Sequence, residues 1–295
     1  MSDEKFLNEP TNLLALLAQA DKEDIDVLVD YITDSGKGRI SLSKENCAAL
    51  SAARSAGTYN AASLMLVTDE IRHFGGNSLV NFYRSVRTGV ATGSSLDAVL
   101  PSADPSVDYG VVVRDVAKHL KLSTDKTADV VSLEEDILRK IARDAFEHMS
   151  LDERARLLKE AGFGDALKGS VASAAVLFAA RAGGFSTYKI ALMVANSMAK
   201  LLLNRGLPLA ANAALTRILG IALGPVGWVV TGLWTLADFS SPAYRVTVPC
   251  VVQIAYMRQK ALNALLMKPC EACQESIPRE AKFCPHCGTA VAAGA

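Results

Sequence analysis

Four cysteines near the C-terminus constrain the fold of this chain more tightly than any other feature. They form two C-x2-C pairs separated by ten residues, the first at Cys270 and Cys273 and the second at Cys284 and Cys287. Four thiolates at this spacing are a ligand set that zinc binds at the corners of a tetrahedron. The sequence therefore predicts a small zinc ribbon over 268–290, with a structural zinc ion because four thiolates leave no open position for chemistry. Iron, or a redox role for the cysteines, is the alternative.

The residue after each cysteine pair shapes the backbone turn that presents the thiolates. Gly288 follows the second pair, where a positive φ turns backbone N–H groups toward sulfur, whereas Gln274 follows the first pair and lacks the conformational freedom of glycine. We expect His286 at the surface and not as a further ligand. The ribbon carries equal numbers of basic and acidic residues, namely Lys268, Arg279 and Lys282 against Glu271, Glu275 and Glu280. No basic patch results, so nucleic-acid binding is not supported.

Charge is distributed unevenly along the rest of the chain. Residues 1–165 carry 19 Lys/Arg and 27 Asp/Glu, whereas residues 166–237 carry six basic residues and no acid. Such blocks indicate parts with different roles. We predict an acidic helical domain over 1–165, an apolar helical region with a final helix over 166–267, and the ribbon over 268–290. Cysteines in a metal pattern and no apolar run behind a basic N-terminus predict a cytoplasmic protein without a secretory signal.

Apolar residues recur at helical spacing through most of the chain, which predicts an all-α, multi-helix body. The predicted helices cover 12–20, 24–32, 43–54, 60–74, 109–120, 133–148, 151–161 and 249–267. We expect the fourth helix to end at Gly75-Gly76, because glycine adopts the left-handed conformation that closes a helix. A serine followed three residues later by glutamate predicts capping boxes at Ser132 and Ser150. The one strand signal is a weak β-branched cluster over 244–248.

Residues 170–237 are markedly apolar, as membrane-associated segments are. They include 218–237, a stretch of twenty residues without a charge, which is about the length that spans a bilayer. Gly224 and Pro225 interrupt this stretch, and proline removes a backbone donor, so we expect two short helices joined by a tight turn. Such an apolar hairpin either re-enters a membrane or packs as two buried helices of a soluble domain.

No catalytic constellation stands out in the sequence, and we do not expect an enzyme. Asp69 and His73 are four residues apart, a spacing at which they share a proton, bind a metal, or simply place a histidine near the negative end of a helix. His119 reads as an isolated helical residue and Cys250 as a packing residue. Phosphate-binding glycine loops and the G-x-S-x-G and H-E-x-x-H motifs are missing from the sequence.

Several short motifs resemble the YaaW-like family of uncharacterised bacterial proteins. They are H-F-G-G-N-S from His73, D-V-A-K-H-L-K-L from Asp115, G-P-V-G from Gly224, Y-R-V-T-V-P from Tyr244 and Q-I-A from Gln253. Their order along the chain agrees with the family as well. The resemblance implies no established chemistry; it does imply a role in assisting the assembly of membrane complexes, since some members are linked to a ubiquinol–cytochrome c chaperone-like helical domain. The zinc ribbon departs from this family and is expected to be an added module.

The sequence favours a non-enzymatic helical protein that contacts a membrane or a membrane-bound partner through residues 170–237. We expect it in the cytoplasm, at the inner face of the membrane, with the ribbon as an accessory contact or a folding module. Two alternatives stay open. One is a pore-forming or membrane-disrupting effector, and the other is a soluble assembly chaperone whose apolar stretch is its own core. A protein partner is expected, and nucleic acid is not supported.

Overall fold

The fold is mostly helical, as predicted. A computed structural model describes residues 9–39, 42–88, 106–123, 128–148, 243–274, 276–284 and 287–291. The helices in these ranges are α1 (Leu13–Leu17), α2 (Lys22–Thr33), α3 (Lys44–Ala56), α4 (Ala61–Thr88), α5 (Tyr109–His119), α6 (Val130–His148) and α7 (Tyr244–Leu266). Two short strands, β1 (Met267–Pro269) and β2 (Ser276–Pro278), follow α7 and form an antiparallel pair.

Some predictions fall on residues that the structure does not describe. The apolar hairpin over 218–237, the helix over 151–161 and the capping box at Ser150 lie outside the described residues. Among the helices that are described, none is both long enough and apolar enough to cross a membrane. The hairpin and the division of the chain into three domains therefore stay predictions.

Helix α4 runs through Gly75 and Gly76 to Thr88, so the predicted end at these glycines was wrong. Both glycines are buried. A Cβ atom at Gly75 would lie 3.2 Å from Cγ2 of Val107 and would overlap Cγ2 of Val112. Gly75 is thus the point where α5 and the residues before it approach α4 closely, which only a residue without a side chain permits.

Helix α6 begins at Val130, two residues before Ser132, where a capping box was predicted. Asp129 is the N-cap, since its carboxylate accepts hydrogen bonds from Ser132 N–H at 3.0 Å and from Ser132 Oγ at 2.6 Å. Hydrogen bonds from Ser132 also lower the pKa of Asp129. Ser132 therefore lies in the first turn of α6 and donates hydrogen bonds to the N-cap residue, Asp129. The prediction that Ser132 caps the helix was wrong.

Helix α7 begins at Tyr244, so the strand signal over 244–248 and the predicted start at Pro249 were both wrong. Pro249 lies inside the helix, and every residue from Val246 to Gln259 is buried. A helix that is covered on all sides is held by its neighbours, which outweighs the β-preference of its first residues and the hydrogen bond that proline cannot donate.

The neighbours of α7 are α2, α4, α5 and α6, which makes it the central helix of the described body. Although we grouped this final helix with the apolar region, it packs into one core with the helices of the first 148 residues. That core also includes Leu13, Leu16 and Leu17 of α1, each 1% exposed. The short first helix thus packs on the core through its leucines.

Helices α6 and α7 run in opposite directions. Glu134, near the start of α6, pairs with Arg258, near the end of α7. Side chains of α6 are buried as far along as Ala142, whereas α7 is no longer buried beyond Gln259. The two helices therefore overlap along the length of α7 that precedes Arg258. As a result, α6 ends and α7 begins at the same end of the body.

Candidate metal centre

The ribbon at the end of α7 is built around one buried isoleucine. Strand β1 continues directly from α7 and pairs with β2, with Lys268 opposite Ile277. Ile277 has no exposed surface and packs against Cys270 and Cys284, which are each 2% exposed. Alternation along β2 turns this side chain inward, so the ribbon has a small core of its own next to the cysteines.

All four predicted ligands come together in the structure. The Sγ atoms of Cys270, Cys273, Cys284 and Cys287 lie within 4.8 Å of one another. Sγ of Cys270 is 3.8 Å from Sγ of Cys287, and Sγ of Cys273 is 3.6 Å from Sγ of Cys284. This group could hold one metal ion. Within the described ranges, no other group of three or more His, Cys, Asp or Glu side chains is placed to do so.

The two C-x2-C turns share one backbone geometry. Gln274 N–H donates to the carbonyl of Cys270 at 2.8 Å, and Gly288 N–H donates to the carbonyl of Cys284 at 2.9 Å. Both residues have positive φ, 61° at Gln274 and 75° at Gly288. The first turn therefore has the same geometry as the second, although it has Gln274 where the second has a glycine. The left-handed conformation costs a non-glycine residue roughly 1–2 kcal/mol.

Cys287 is the exposed member of the cysteine group, and Thr289 favours its thiolate form. Sγ of Cys287 lies 3.2 Å from Oγ1 of Thr289. Hydrogen bonding by the side chain and backbone of Thr289 lowers the pKa of Cys287 to about 6. Because the thiolate is the form that binds metals, this environment favours a ligand at neutral pH.

Arg279 connects the ribbon to the end of α7 by hydrogen bonds. Its backbone N–H donates to the carbonyl of Leu266, and its Nη2 donates to the carbonyl of Ala264, each at 2.9 Å. Both carbonyls belong to the last turn of a helix, where intrahelical donors run out and a positive charge is favourable. The cysteine group is therefore held on the helical body by defined hydrogen bonds.

The second candidate from the sequence, Asp69 with His73, does not form a site of either predicted kind. Nδ1 of His73 lies 2.8 Å from the backbone oxygen of Asp69, while the Asp69 carboxylate faces Arg72 at 3.7 Å. The pair is not part of any described group that could hold a metal. Since α4 continues to Thr88, the histidine does not mark a helix end either.

A buried polar cluster around Arg258 was not predicted. Arg258 and Glu134 are each 1% exposed, and Nε of Arg258 donates to Oε2 of Glu134 at 2.7 Å. The Tyr109 hydroxyl donates to Oε1 of Glu134 at 2.8 Å, and Nη2 of Arg258 donates to the carbonyl of Pro10 at 2.8 Å. Helical spacing could have predicted the burial of Arg258, because Arg258 follows Ile254 by four residues and so lies on the same buried face of the helix.

This cluster ties four parts of the chain together. Burial raises the pKa of Glu134 in spite of the neighbouring Arg258, and burial also raises the pKa of Tyr109. Paired and hydrogen-bonded in this way, the buried charges fix how α5, α6, α7 and the N-terminal segment meet.

Three of the motifs that resemble the YaaW-like family, those from Asp115, Tyr244 and Gln253, also lie in the described helical body. Tyr244 stacks on His119 with ring centroids 3.8 Å apart and planes 18° apart, and it hydrogen-bonds to Asp115. Nε2 of Gln253 lies 3.2 Å from Oδ1 of Asp24. These motifs therefore contribute contacts between α5 and α7 and between α2 and α7.

Proteins similar to this chain share one family name. A UPF0174 protein of Helicobacter pylori strain J99 is 34% identical over 200 residues, which cover 67% of this chain and 72% of that protein. A UPF0174 protein of Helicobacter pylori strain 26695 is 32% identical over 202 residues, covering 66% and 87%. UPF0174 protein YaaW of Escherichia coli K12 is 24% identical over 194 residues, covering 66% and 70%.

No model of a known protein family matches the chain, and no solved structure matches it. The names of the relatives do not mention a zinc ribbon, so the idea that the ribbon was added to the family stays a prediction. The resemblance to YaaW-like proteins is confirmed by these relatives. At this identity and coverage, the chain belongs to the UPF0174 family.

Proposed function

We propose that this protein is a non-enzymatic helical scaffold that contacts a membrane or a membrane-bound protein through residues 170–237 and carries a structural zinc ribbon. The observation that carries the membrane contact is composition. Residues 166–237 hold six basic residues and no acid, and 218–237 hold no charge at all. Bases beside a long apolar stretch suit a surface of anionic headgroups over hydrocarbon. The contact would lie at the cytoplasmic face of the membrane.

The direction of α6 and α7 supports this proposal. Because the two helices run antiparallel, residues 149–242 start and finish at one end of the body. The ribbon follows the opposite end of α7. A protein with these two ends could engage a membrane at one of them and keep the other available for a partner.

Exposed apolar side chains support a protein partner near the ribbon. In the described part of the chain, the large hydrophobic residues with substantial exposure are Met65, Leu265, Leu266 and Phe283. Leu266 is 64% exposed at the end of α7, and Phe283 is 66% exposed on the ribbon. We infer that the apolar side chains at the end of α7 and on the ribbon contribute to the contact with this partner.

Zinc is the metal that best suits the cysteine group. Zinc–sulfur bonds of about 2.3 Å place sulfur atoms at tetrahedral corners about 3.8 Å apart. Two Sγ–Sγ separations are close to this value, 3.8 Å between Cys270 and Cys287 and 3.6 Å between Cys273 and Cys284, and all of them are below 4.8 Å. When bound, the ion would cross-link the two turns of the ribbon and supply folding energy, without a position for substrate.

Elemental analysis tests the zinc proposal. We expect one equivalent of zinc per chain in the purified protein, its loss in Cys270→Ser/Cys284→Ser, and full retention in Cys47→Ser, which lies in the helical body. The apo ribbon should unfold locally, because metal binding and folding are coupled in such small modules. Absence of zinc from the wild-type protein, or retention of zinc in the double variant, would refute it.

Tryptophan fluorescence tests the membrane contact directly. The chain has two tryptophans, Trp228 and Trp234, and both lie in the apolar stretch. Vesicles of phosphatidylcholine and phosphatidylglycerol should shift their emission to the blue, and Trp228→Asp should weaken vesicle binding. A folded protein whose emission is already blue and does not respond to vesicles at low salt would instead favour the soluble chaperone. Release of an entrapped dye would favour the pore-forming effector.

A further inference from the structure

We propose that the cysteine group is an oxidant-sensitive switch, in which a hydroperoxide oxidises Cys287 first and thereby releases the metal. The inference rests on the structural zinc ribbon proposed above and adds how this ribbon is regulated. The observation that carries it is the unequal exposure of the four side chains. Cys287 is exposed and Cys273 is half-buried, whereas Cys270 and Cys284 are each 2% exposed. One ligand is therefore open to a reagent in solvent while two of its partners are shielded.

Exposure also distinguishes Cys287 from the cysteines outside the ribbon. All six cysteines lie within the described residues, and Cys47 and Cys250 are buried in the helical core. A cysteine that binds zinc is deprotonated by the metal itself, and the thiolate is the nucleophilic form of the side chain. Cys287 thus combines access to solvent with thiolate character, and oxidant-sensitive cysteines share these two properties.

A second thiolate lies beside Cys287 and completes the oxidation. Sγ of Cys270 is 3.8 Å from Sγ of Cys287, and the two residues belong to different C-x2-C turns. Attack by the Cys287 sulfur on hydrogen peroxide forms an S–O bond, breaks the O–O bond and expels hydroxide, which leaves a sulfenic acid. The Cys270 thiolate then attacks the Cys287 sulfur, so that an S–S bond forms, the S–O bond breaks and a second hydroxide leaves.

The two steps balance with one molecule of peroxide as the oxidant. The two thiolates together lose two electrons, the peroxide gains them, and two protons from solvent convert the two hydroxides to water. The product is one disulfide between Cys270 and Cys287. This disulfide removes two ligands, and the remaining thiolates of Cys273 and Cys284 are too few for a four-coordinate structural zinc site.

Loss of the ion acts on the surface proposed for the protein partner. Ile277 has no exposed surface and packs against Cys270 and Cys284, so opening of the metal site removes the support of this side chain. Strand β2 carries Ile277 and leads directly to Arg279, whose hydrogen bonds join the ribbon to α7. Because metal binding and folding are coupled in such small modules, oxidation loosens the ribbon next to the exposed Leu266.

Peroxide treatment of the full, zinc-loaded chain tests the proposal with two matched variants. Cys287→His and Cys270→His each keep four ligands, since three cysteines and one histidine form a regular structural zinc site. Of the two, only Cys287→His removes the exposed sulfur. A chromogenic chelator follows the release of zinc, and mass spectrometry of peptides prepared without reductant identifies the disulfide.

We expect hydrogen peroxide to release zinc from the wild-type protein, with the first disulfide joining Cys270 to Cys287, and a thiol reductant with added zinc to reverse the change. Release should be several-fold slower from Cys287→His. It should be about as fast from Cys270→His as from the wild-type protein, because the exposed sulfur is still oxidised. Should either variant fail to load zinc, brief alkylation of the wild-type protein with N-ethylmaleimide replaces it, and Cys287 should react before the other cysteines.

The outcomes that overturn this inference are distinct from the failure of the zinc proposal. Equal rates of zinc release from the two variants, or a first alkylation at a cysteine other than Cys287, would remove the switch and leave the structural zinc ribbon intact. Retention of zinc by the wild-type protein under peroxide, or a first disulfide other than that between Cys270 and Cys287, would do the same. A wild-type chain that holds no zinc would remove both proposals.

Discussion

Several buried charges of the described body stand in helix interiors and pair with a residue of another helix. Glu134 and Arg258 illustrate the pattern, and Asp30 with Arg54 repeats it at 2.6 Å between α2 and α3. Taking an ion out of water is costly, and the pair recovers that cost only while both members are present. Single substitutions at these positions should therefore have larger effects than at the exposed ion pairs.

The first prediction concerns Glu134. Glu134→Gln should lower the free energy of unfolding by about 3–5 kcal/mol, because it leaves the buried charge of Arg258 unpaired. Asp136→Asn on the same helix is the control; its ion pair with Arg139 is exposed and should be worth less than about 1 kcal/mol. Urea denaturation measures both, and Glu134→Leu/Arg258→Met should recover much of the loss. Similar losses for Glu134→Gln and Asp136→Asn would contradict the prediction.

The second prediction concerns pH. Burial raises the pKa of Asp30 to about 6, although Arg54 acts against the shift. The folded state then binds a proton at Asp30 more tightly than the unfolded chain, whose aspartates titrate near pH 4 (about 3.9). Stability contributed by this residue is thus present below about pH 4 and is lost as the pH rises to about 6.

Denaturation of wild-type protein and Asp30→Asn at a series of pH values measures this effect. The variant should show a shallower fall in the free energy of unfolding between these two pH values. The same slope in both proteins, or an Asp30 carboxyl that titrates near pH 4 by NMR, would rule it out.

Packing against neighbouring helices decides where individual helices end and where they cross. The glycines in α4 read as a helix stop from local preference, yet they lie in a continuous helix because α5 passes against them. The β-branched start of α7 is helical for a similar reason, since its residues are buried among four other helices. Local signals therefore predicted that these elements exist and were less reliable about where they begin and end.

The third prediction uses Gly75. In an exposed helix, replacing glycine by alanine is stabilising by roughly 0.5–1 kcal/mol. Gly75→Ala should instead destabilise the protein by about 1–3 kcal/mol, because the new methyl group collides with Val112. Combining it with Val112→Ala should cost less than the sum of the two single changes, since the collision is relieved. A stabilising Gly75→Ala would show that helix preference, and not close packing, governs this position.

At the level of the whole molecule, the core is assembled from parts far apart in the chain. Arg258 and Glu134 are separated by 124 residues, and Gln253 and Asp24 by 229. The end of α6 and the start of α7 lie at the same end of the body. The described helices therefore form one unit from which residues 149–242 depart and to which they return.

The fourth prediction follows from this arrangement. Replacing residues 149–242 by about eight glycine and serine residues should leave the helical body folded, because neighbouring helices lie about 8–10 Å apart and such a linker easily reaches. A chain ending at residue 148 should fail to fold, since it lacks the central helix α7. Circular dichroism and thermal melting measure both. An unfolded linker variant would show that the deleted residues contribute to the core.

The sequence by itself determined the ribbon and the helical class. Cys270, Cys273, Cys284 and Cys287 lie within one short segment, so their local spacing was enough to predict that they form one group. Helical periodicity is likewise a local property, and it predicted most of the described helices within a few residues. The family followed from short motifs in the right order.

Only the tertiary structure decided the rest. It showed that α7 is the central helix, that Arg258 is buried against Glu134, and that Gly75 serves a helix crossing. Each depends on a partner brought close by folding, and a periodic pattern does not reveal which distant residue that partner is. The free energy of burying a charge, or of packing two helices together, depends on both partners at once. The local pattern of one segment therefore does not reveal it.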